Sequence, residues 1–246
     1  MRFAAVADIH GNHLALGAVL SDIRAQGITD IVNLGDMLSG PLDARPTVDM
    51  LMQLDAVHVR GNHDRYLIDR LHEKMGAWER LVYTQLEPRH FDWLRALPVT
   101  AVYRDEVFLC HATPNDDEIY WLDTVLPGGE VLMASLEAIE ARAAGVTQSL
   151  ILCGHTHLAR AVRLSDGRLV VNPGSVGSPG YRDVHPYPHV VEAGSPAARY
   201  AILEKAGGDW VVTFRHMPYD HEAMAALARQ NGQPELASAL ATGWIR

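Results

Sequence analysis

Apolar positions in the first sixty residues alternate between short continuous runs and stretches spaced for a helix. Phe3 to Ala7 and Ile28 to Leu34 are compact apolar runs of strand length. Between them Leu16, Val19, Leu20 and Ile23 fall at i, i+3, i+4 and i+7, the stripe of a helix packed on a sheet, and Gly27 ends it. A second helical stretch through Thr47–Met52 leads into a weaker strand, Ala56–Arg60. This strand–helix rhythm predicts a largely parallel sheet covered by helices. Residues 65–97 read as helix in two or three pieces, broken near Gly76 and Pro88. Two strands follow, Val99–Tyr103 and Val107–Cys110, around a tight Arg104-Asp105-Glu106 turn. Glu130 to Ala144 is expected to be helical, with Leu132, Leu136, Ile139 and Ala143 on one face and Gly145 as its stop.

From residue 149 the pattern changes to strand pairs. Ala159–Leu164 pairs with Arg168–Asn172 around Asp166-Gly167, and Tyr200–Glu204 with Trp210–Arg215 around Gly207-Gly208, dipeptides suited to the positive φ of tight hairpins. The tail, 217–246, reads as two short helices, the first capped by Asp220 and closed at Gly232, the second opened by Pro234. The first half is expected to build one sheet and the second half another. Both have strands too apolar to leave a face wet, so the predicted fold is α/β, with two facing mixed β-sheets flanked by helices in a four-layer αββα sandwich. No repeat or linker interrupts 1–246, which reads as a single domain. The stretch 173–197 is rich in proline and glycine and lacks a hydrophobic period, and it is expected to be a lid loop over a cleft.

Composition narrows the function classes. A net charge of −9 argues against a surface that grips nucleic acid, so no stable nucleic-acid partner is expected. Cys110 and Cys153 make neither a disulfide framework nor a CxxC pair and read as small core residues. The first residues reach a charge too soon for a signal peptide, and no apolar run reaches the roughly 18 residues of a membrane span, so the expected location is cytoplasmic with no membrane partner. Thirteen histidines are the one oddity, and they point toward metals.

Several of these histidines, with a few carboxylates, sit where a strand gives way to a loop. Asp8-Ile9-His10, Gly35-Asp36, Gly61-Asn62-His63-Asp64, His111 and Gly154-His155-Thr156-His157 each follow a short apolar run. Polar groups repeatedly placed at strand ends predict one cleft at the carboxyl edge of a sheet. On extended backbone, Asp8 and His10 point to the same side, as do His155 and His157. Asp8, His10, Asp36, Asn62, His111, His155 and His157 are too many ligands for one ion and about right for two. Carboxylate, imidazole and amide together suit intermediate divalent metals. Asp36 is the carboxylate placed to bridge two ions, and a bridging hydroxide would be the nucleophile. Glycine before the ligands at 35, 61 and 154 permits close backbone approach.

This ordered set, DxH, GD, GNHD, H and GHTH, resembles the calcineurin-like metallophosphoesterase superfamily. The likeness runs from residue 3 to about 216. Asp8-Ile9-His10-Gly11-Asn12 and Asn172-Pro173-Gly174-Ser175-Val176-Gly177 resemble its small bacterial and archaeal phosphodiesterase branch. The resemblance implies that Asp8, His10, Asp36 and His157 hold one metal, and that Asp36, Asn62, His111 and His155 hold the second. It implies two divalent cations, Mn²⁺ first, with Fe, Zn, Ni, Co or Mg as alternatives. His63 would be the general acid that protonates the leaving oxygen, with Asp64 orienting its ring. Some members of that branch carry Cys at this position, and the imidazole here favours catalysis.

The expected activity is therefore hydrolysis of a phosphodiester in a small phosphorylated substrate such as a nucleotide. Phosphomonoesters, phosphoproteins and dinucleoside polyphosphates stay open as alternatives. A noncatalytic scaffold of the same fold would be expected to lose ligands or His63, and neither is lost. Arg182, in the expected lid, is a candidate substrate contact because a guanidinium pairs with phosphate through two hydrogen bonds. Asn12 and His13 are weaker candidates, each equally readable as a feature of the first helix's start. Arg60 could likewise pair with a phosphate oxygen, but it reads first as an ion-pair partner behind the site. Tyr120 and Trp121 could stack on a base or cover the core. His58, His72, His90, His216 and His221 lack such a setting and read as structural or solvated.

Overall fold

The structure is a computed structural model that describes residues 1–246. The chain begins with β1 (Arg2–Val6), α1 (His13–Ala25), β2 (Ile31–Asn33), α2 (Ala44–Met52) and β3 (Val57–His58). These three strands pair in parallel, so their carboxyl ends share one edge. Then come α3 (Asn62–Asp69), a 3-10 turn over His72–Lys74, α4 (Ala77–Tyr83) and α5 (Pro88–Ala96). Gly76 and Pro88 stand at the starts of α4 and α5, as the pattern predicts. The next elements are β4 (Thr100–Tyr103), β5 (Val107–Cys110), β6 (Asp123–Val125), β7 (Val131–Met133), α6 (Leu136–Arg142), β8 (Leu150–Leu152), β9 (Arg160–Arg163) and β10 (Leu169–Asn172). The chain closes with β11 (Gly180–Asp183), β12 (His189–Glu192), β13 (Ala198–Ala206), β14 (Asp209–Met217), α7 (His221–Gln230) and α8 (Pro234–Thr242).

Two five-stranded mixed sheets result, ordered β14-β13-β1-β2-β3 and β4-β5-β8-β10-β9. Strand alternation divides the core into layers. Phe3, Ala5 and Ala7 of the first sheet join Ala201 and Leu203, and meet Val107, Leu109, Leu150, Leu152 and Val171 of the second. The opposite side chains of β1, Ala4 and Val6, pack with Leu16, Val19 and Ile23 of α1. Ile151 and Val170 turn outward to Trp121 and Ile139 on the far side of the second sheet. The four layers are thus helices, sheet, sheet and helix, as the sequence predicts. The tail forms its own small core, where Leu42 packs among Met224, Ala225, Leu236 and Leu240 of α7 and α8.

Three expectations need correction. The two halves do not build one sheet each, because β13 pairs antiparallel with β1, Phe3 opposite Leu203, and carries β14 into the N-terminal sheet. Without β13, β1 would be an apolar edge strand with unpaired backbone groups. The helix expected from Glu130 starts only at Leu136, where Ser135 accepts from the Ala138 N–H. Residues 131–133 instead pair with β6, and Leu132 and Met133 are 50% and 58% exposed. The stretch 173–197 is not an open loop. Pro173 to Gly180 is buried, and β11 and β12 pair as a hairpin.

The layer assignment predicts contrasting costs. Leu152→Ala, between the sheets, should lower unfolding free energy by about 2–5 kcal/mol in a denaturant titration. Val102→Ala, half exposed on β4, should change it by no more than about 0.5 kcal/mol.

Candidate metal centre and substrate cleft

Each candidate ligand follows the carboxyl end of a parallel strand: Asp8 and His10 after β1, Asp36 after β2, Asn62 after β3, His111 after β5, and His155 and His157 after β8. The backbone there is unusual. Seven non-glycine residues have positive φ; two, Arg104 and Asp105, form the β4–β5 turn, and the other five are Asp8, His10, Asp36, His155 and His157. Left-handed backbone at such residues costs on the order of 1–3 kcal/mol each, and it persists only where its surroundings hold it. Backbone ties supply that hold. The Asp8, Ile9 and His10 N–H groups donate to carbonyls of Gly35 and Asp36. Val176 and Gly177 donate to Ala7 and Asp8, and the Ser175 hydroxyl donates to the Asp8 carbonyl at 2.7 Å. The segment expected as a lid is therefore partly the buried support of Asp8. Gly61 lies so close to Asp36 that a Cβ would stand 2.2 Å from its Oδ1.

The side chains gather into two groups, Asp8, His10 and His157 in one, and Asp36, His111 and His155 in the other. Asn62 joins the second, its Oδ1 being 3.1 Å from His111 Nε2. Hydrogen bonds fix which nitrogen of each ring faces inward. His10, His157 and His111 donate Nδ1–H to the carbonyls of Ser39, Ser178 and Leu34 at 2.5, 2.7 and 2.8 Å. His155 donates from Nε2 to the Glu118 carbonyl at 2.9 Å, which leaves its Nδ1 as the lone pair. Carbonyls accept only, so each tautomer is determined.

The donor set fits divalent cations on this structure's own geometry. Burial pushes His10 down to about 4 and His157 well below the usual imidazole range, so both rings are neutral. Their Nε2 lone pairs nonetheless face each other at 3.1 Å, with Asp8 Oδ1 3.5 Å from the second. That arrangement is repulsive unless positive charge stands between them. In the second group burial opposes a charged His111, but the carboxylates of Asp36 and Asp8 outweigh it and lift the ring to about 10. Nε2 of His111 lies 3.2 Å from Asp36 Oδ2. Both groups favour positive charge at their centres, and Asp36 Oδ1 also accepts from the His63 N–H at 2.9 Å.

His63 opens α3 and lines the cleft, but Asp64 does not orient its ring. The Asp64 carboxylate is fully buried and accepts from the backbone N–H groups of Asp36, Met37 and Gly61 at 2.8, 3.0 and 2.9 Å, joining the β2 and β3 loops. The ring is held by Glu79 of α4, whose Oε1 is 2.7 Å from His63 Nδ1. Burial opposes both charges, yet Asp36 and Glu79 raise His63 above its ordinary value, and the His63 bond holds Glu79 below its own. Both shifts favour the ionised pair. Glu79 had no local sequence signal, lying sixteen residues downstream in another helix. Gly76 admits it, since a Cβ there would stand 2.5 Å from Glu79 Oε2.

The groups open into a cleft of about 770 Å³. Its walls include Tyr66 and Arg70 of α3, Trp78 of α4, Tyr120, Arg142, and Tyr181 and Arg182 of β11. Tyr66 was findable, three residues past His63 on a predicted helix. Two of the three candidate substrate contacts fall elsewhere. Asn12 is buried, capping α1 through Ala15 N–H and donating to the Gly177 carbonyl and Tyr219 hydroxyl. His13 lies outside the cleft, with Nδ1 3.7 Å from Asp43. Arg182 reaches the rim, but its guanidinium is engaged by Glu235 of α8 at 3.0 Å. Arg60 forms no ion pair, and its Nε is buried without a partner. Trp121 is core, donating to the Ile139 carbonyl, whereas Tyr120 faces the cleft with its hydroxyl on Tyr181 and His189.

Comparison with known proteins agrees with this geometry. An uncharacterised protein of Methanocaldococcus jannaschii is 28% identical, over 94% of this chain and 93% of its own. A metallophosphoesterase from Sphaerobacter thermophilus superposes with a TM-score of 0.76 at 28% identity, over 99% of this chain and all of the other. A hypothetical protein from Pyrococcus horikoshii OT3 shares the fold with a TM-score of 0.74 at 19% identity, over 100% and 99% of the two chains. Residues 1–193 match the calcineurin-like phosphoesterase superfamily domain, and the chain belongs to that superfamily of metal-binding phosphoester hydrolases.

Proposed function

We propose that the protein is a dinuclear metal-dependent phosphodiesterase acting on a small phosphorylated substrate. The observation that carries this reading is the pair of inward-facing donor groups, with neutral His10 and His157 lone pairs opposed at 3.1 Å in one and the Asp36 carboxylate 3.2 Å from His111 in the other. Asp8, His10, Asp36 and His157 would hold one cation, and Asp36, Asn62, His111 and His155 the other. When bound, the pair supplies Lewis-acid charge for the phosphoryl oxygens and an activated water near neutral pH.

The chain's own residues supply the rest. His63 presents Nε2 toward the cleft while Nδ1 is fixed by Glu79, so its proton is aimed at the leaving oxygen of a substrate seated beside Asp36. The upward shift of His63 beside Glu79 favours the protonated ring and so keeps that proton available. Tyr66, Trp78, Tyr120 and Tyr181 offer ring faces for the organic portion of the substrate. A diester is favoured because the cleft extends on both sides of the donor groups, toward α3 and α4 and toward β11.

Elemental analysis should find two divalent ions per chain after loading with Mn²⁺, and Asp36→Asn should retain one or none. A wild-type ratio of one would reject the dinuclear reading. His63→Ala should lower kcat for a poor leaving group by about 10²–10⁴-fold with metal content unchanged. An equal loss with an activated nitrophenyl leaving group would contradict the acid role. Glu79→Gln should lower kcat for poor leaving groups about 10–100-fold while KM and metal content hold. A fall in metal content instead would assign Glu79 to folding of the site. Turnover of a panel of mono-, di- and pyrophosphate esters, after chelation and metal add-back, ranks the substrate classes, and diesters should come first.

A further inference from the structure

Three arginines line the cleft, and two of them are engaged. Arg142 donates from Nη1 to the Trp121 carbonyl at 2.5 Å, and Arg182 pairs with Glu235. Arg70, at the carboxyl end of α3, has neither a hydrogen bond nor an ion pair for its guanidinium. It lies over the Tyr66 ring, Cζ 3.2 Å from the centroid, and the Tyr66 ring lies 5.5 Å from that of His63. An arginine laid on an aromatic face keeps its edge donors free, in the fork that matches two phosphate oxygens.

Most carboxylates around the same cleft have partners of their own, although Asp123 keeps one buried oxygen without any. Glu118 accepts from Arg65 and Tyr66, and Asp123 from Arg160. Asp116 accepts from the N–H groups of Glu118 and Ile119, and Asp183 from those of Val184 and His185. Arg70 is therefore the one cleft arginine whose donors are uncommitted, and its place on α3 gives it a direction. Positions 63, 66 and 70 share one face of a helix, so Arg70 follows Tyr66 on the side where His63 would release the leaving oxygen.

We propose that Arg70 is a specificity-determining residue that grips a second phosphate-like anion carried by the leaving group, so that the preferred substrates are phosphoesters whose leaving portion is itself phosphorylated. This rests on the phosphoesterase reading above. Tyr66 holds the guanidinium in place, and the anion of the leaving group lies across Tyr66 from the scissile phosphate. The same contact would bind the released product.

The test uses metal-loaded full-length enzyme and three aryl phosphodiesters: one leaving as plain nitrophenol, one leaving as a nitrophenol that carries a phosphonate, and one with the phosphonate on the retained aryl group. Arg70→Ala should lower kcat/KM for the second by about 30-fold, and for the first and third by less than about threefold. Arg70→Lys should fall between for the second, since the charge stays and the fork is lost. The exposed position should leave the melting temperature of both variants unchanged. Equal losses on all three substrates, or a larger loss on the third, would overturn the assignment while leaving the phosphoesterase reading intact. Wild-type enzyme that turns over none of the three would overturn both.

Discussion

The organising constraint is the confinement of like donors: the neutral nitrogens of His10, His155 and His157 and the buried carboxyl groups of Asp8 and Asp36 are turned toward common centres, where His111 beside Asp36 answers only part of the charge. Removing such groups from water is costly unless something positive meets them. The fold meets a further cost to aim them, since Asp8, His10, Asp36, His155 and His157 all take left-handed backbone. Neither expense stabilises the apoprotein. Both are intelligible as preorganisation for cations, in which the donors' other atoms are fixed first by the carbonyls of Leu34, Ser39 and Ser178.

The two-sheet architecture makes that convergence available. Parallel strands in each sheet end on a common edge, and the apolar layer of Phe3, Leu109, Leu152 and Leu203 holds the sheets face to face. The loops after β1, β2 and β3 then meet those after β5 and β8. Asp64 and Ser175 work behind the donors, one joining the loops of β2 and β3, the other clamping Asp8. The cleft is correspondingly asymmetric: the supports are rigid and buried, whereas the walls that would sort substrates come from α3, α4 and the β11–β12 hairpin.

Much of this was legible in the sequence where one side chain's role is set by its neighbours in the chain. Strand runs ending in Asp8, Asp36, His111 and His155 fixed the edge of the sheet, and the helical stripe of α1, the Asp220 cap and the Gly207-Gly208 turn all appear as expected. What escaped depends on distant partners. Joining β13 to β1 is a choice between two apolar sheets that local pattern does not make. Val131-Leu132-Met133 fits a helix face as well as a strand, and the pairing with Asp123–Val125 decided it. Glu79 was one of thirty acidic residues until α4 brought it to His63. The family resemblance implied Asp64 as the ring's partner, but at the start of a helix its carboxylate turns back to free N–H groups instead.

The central claim is that two cations sit side by side between these donors. Anomalous diffraction from crystals grown with Mn²⁺ tests it most directly. The account predicts two peaks sharing Asp36, one against His10, His157 and Asp8, the other against His111, Asn62 and Nδ1 of His155. No peak there, or a single ion with the remaining imidazoles rotated away, would contradict it.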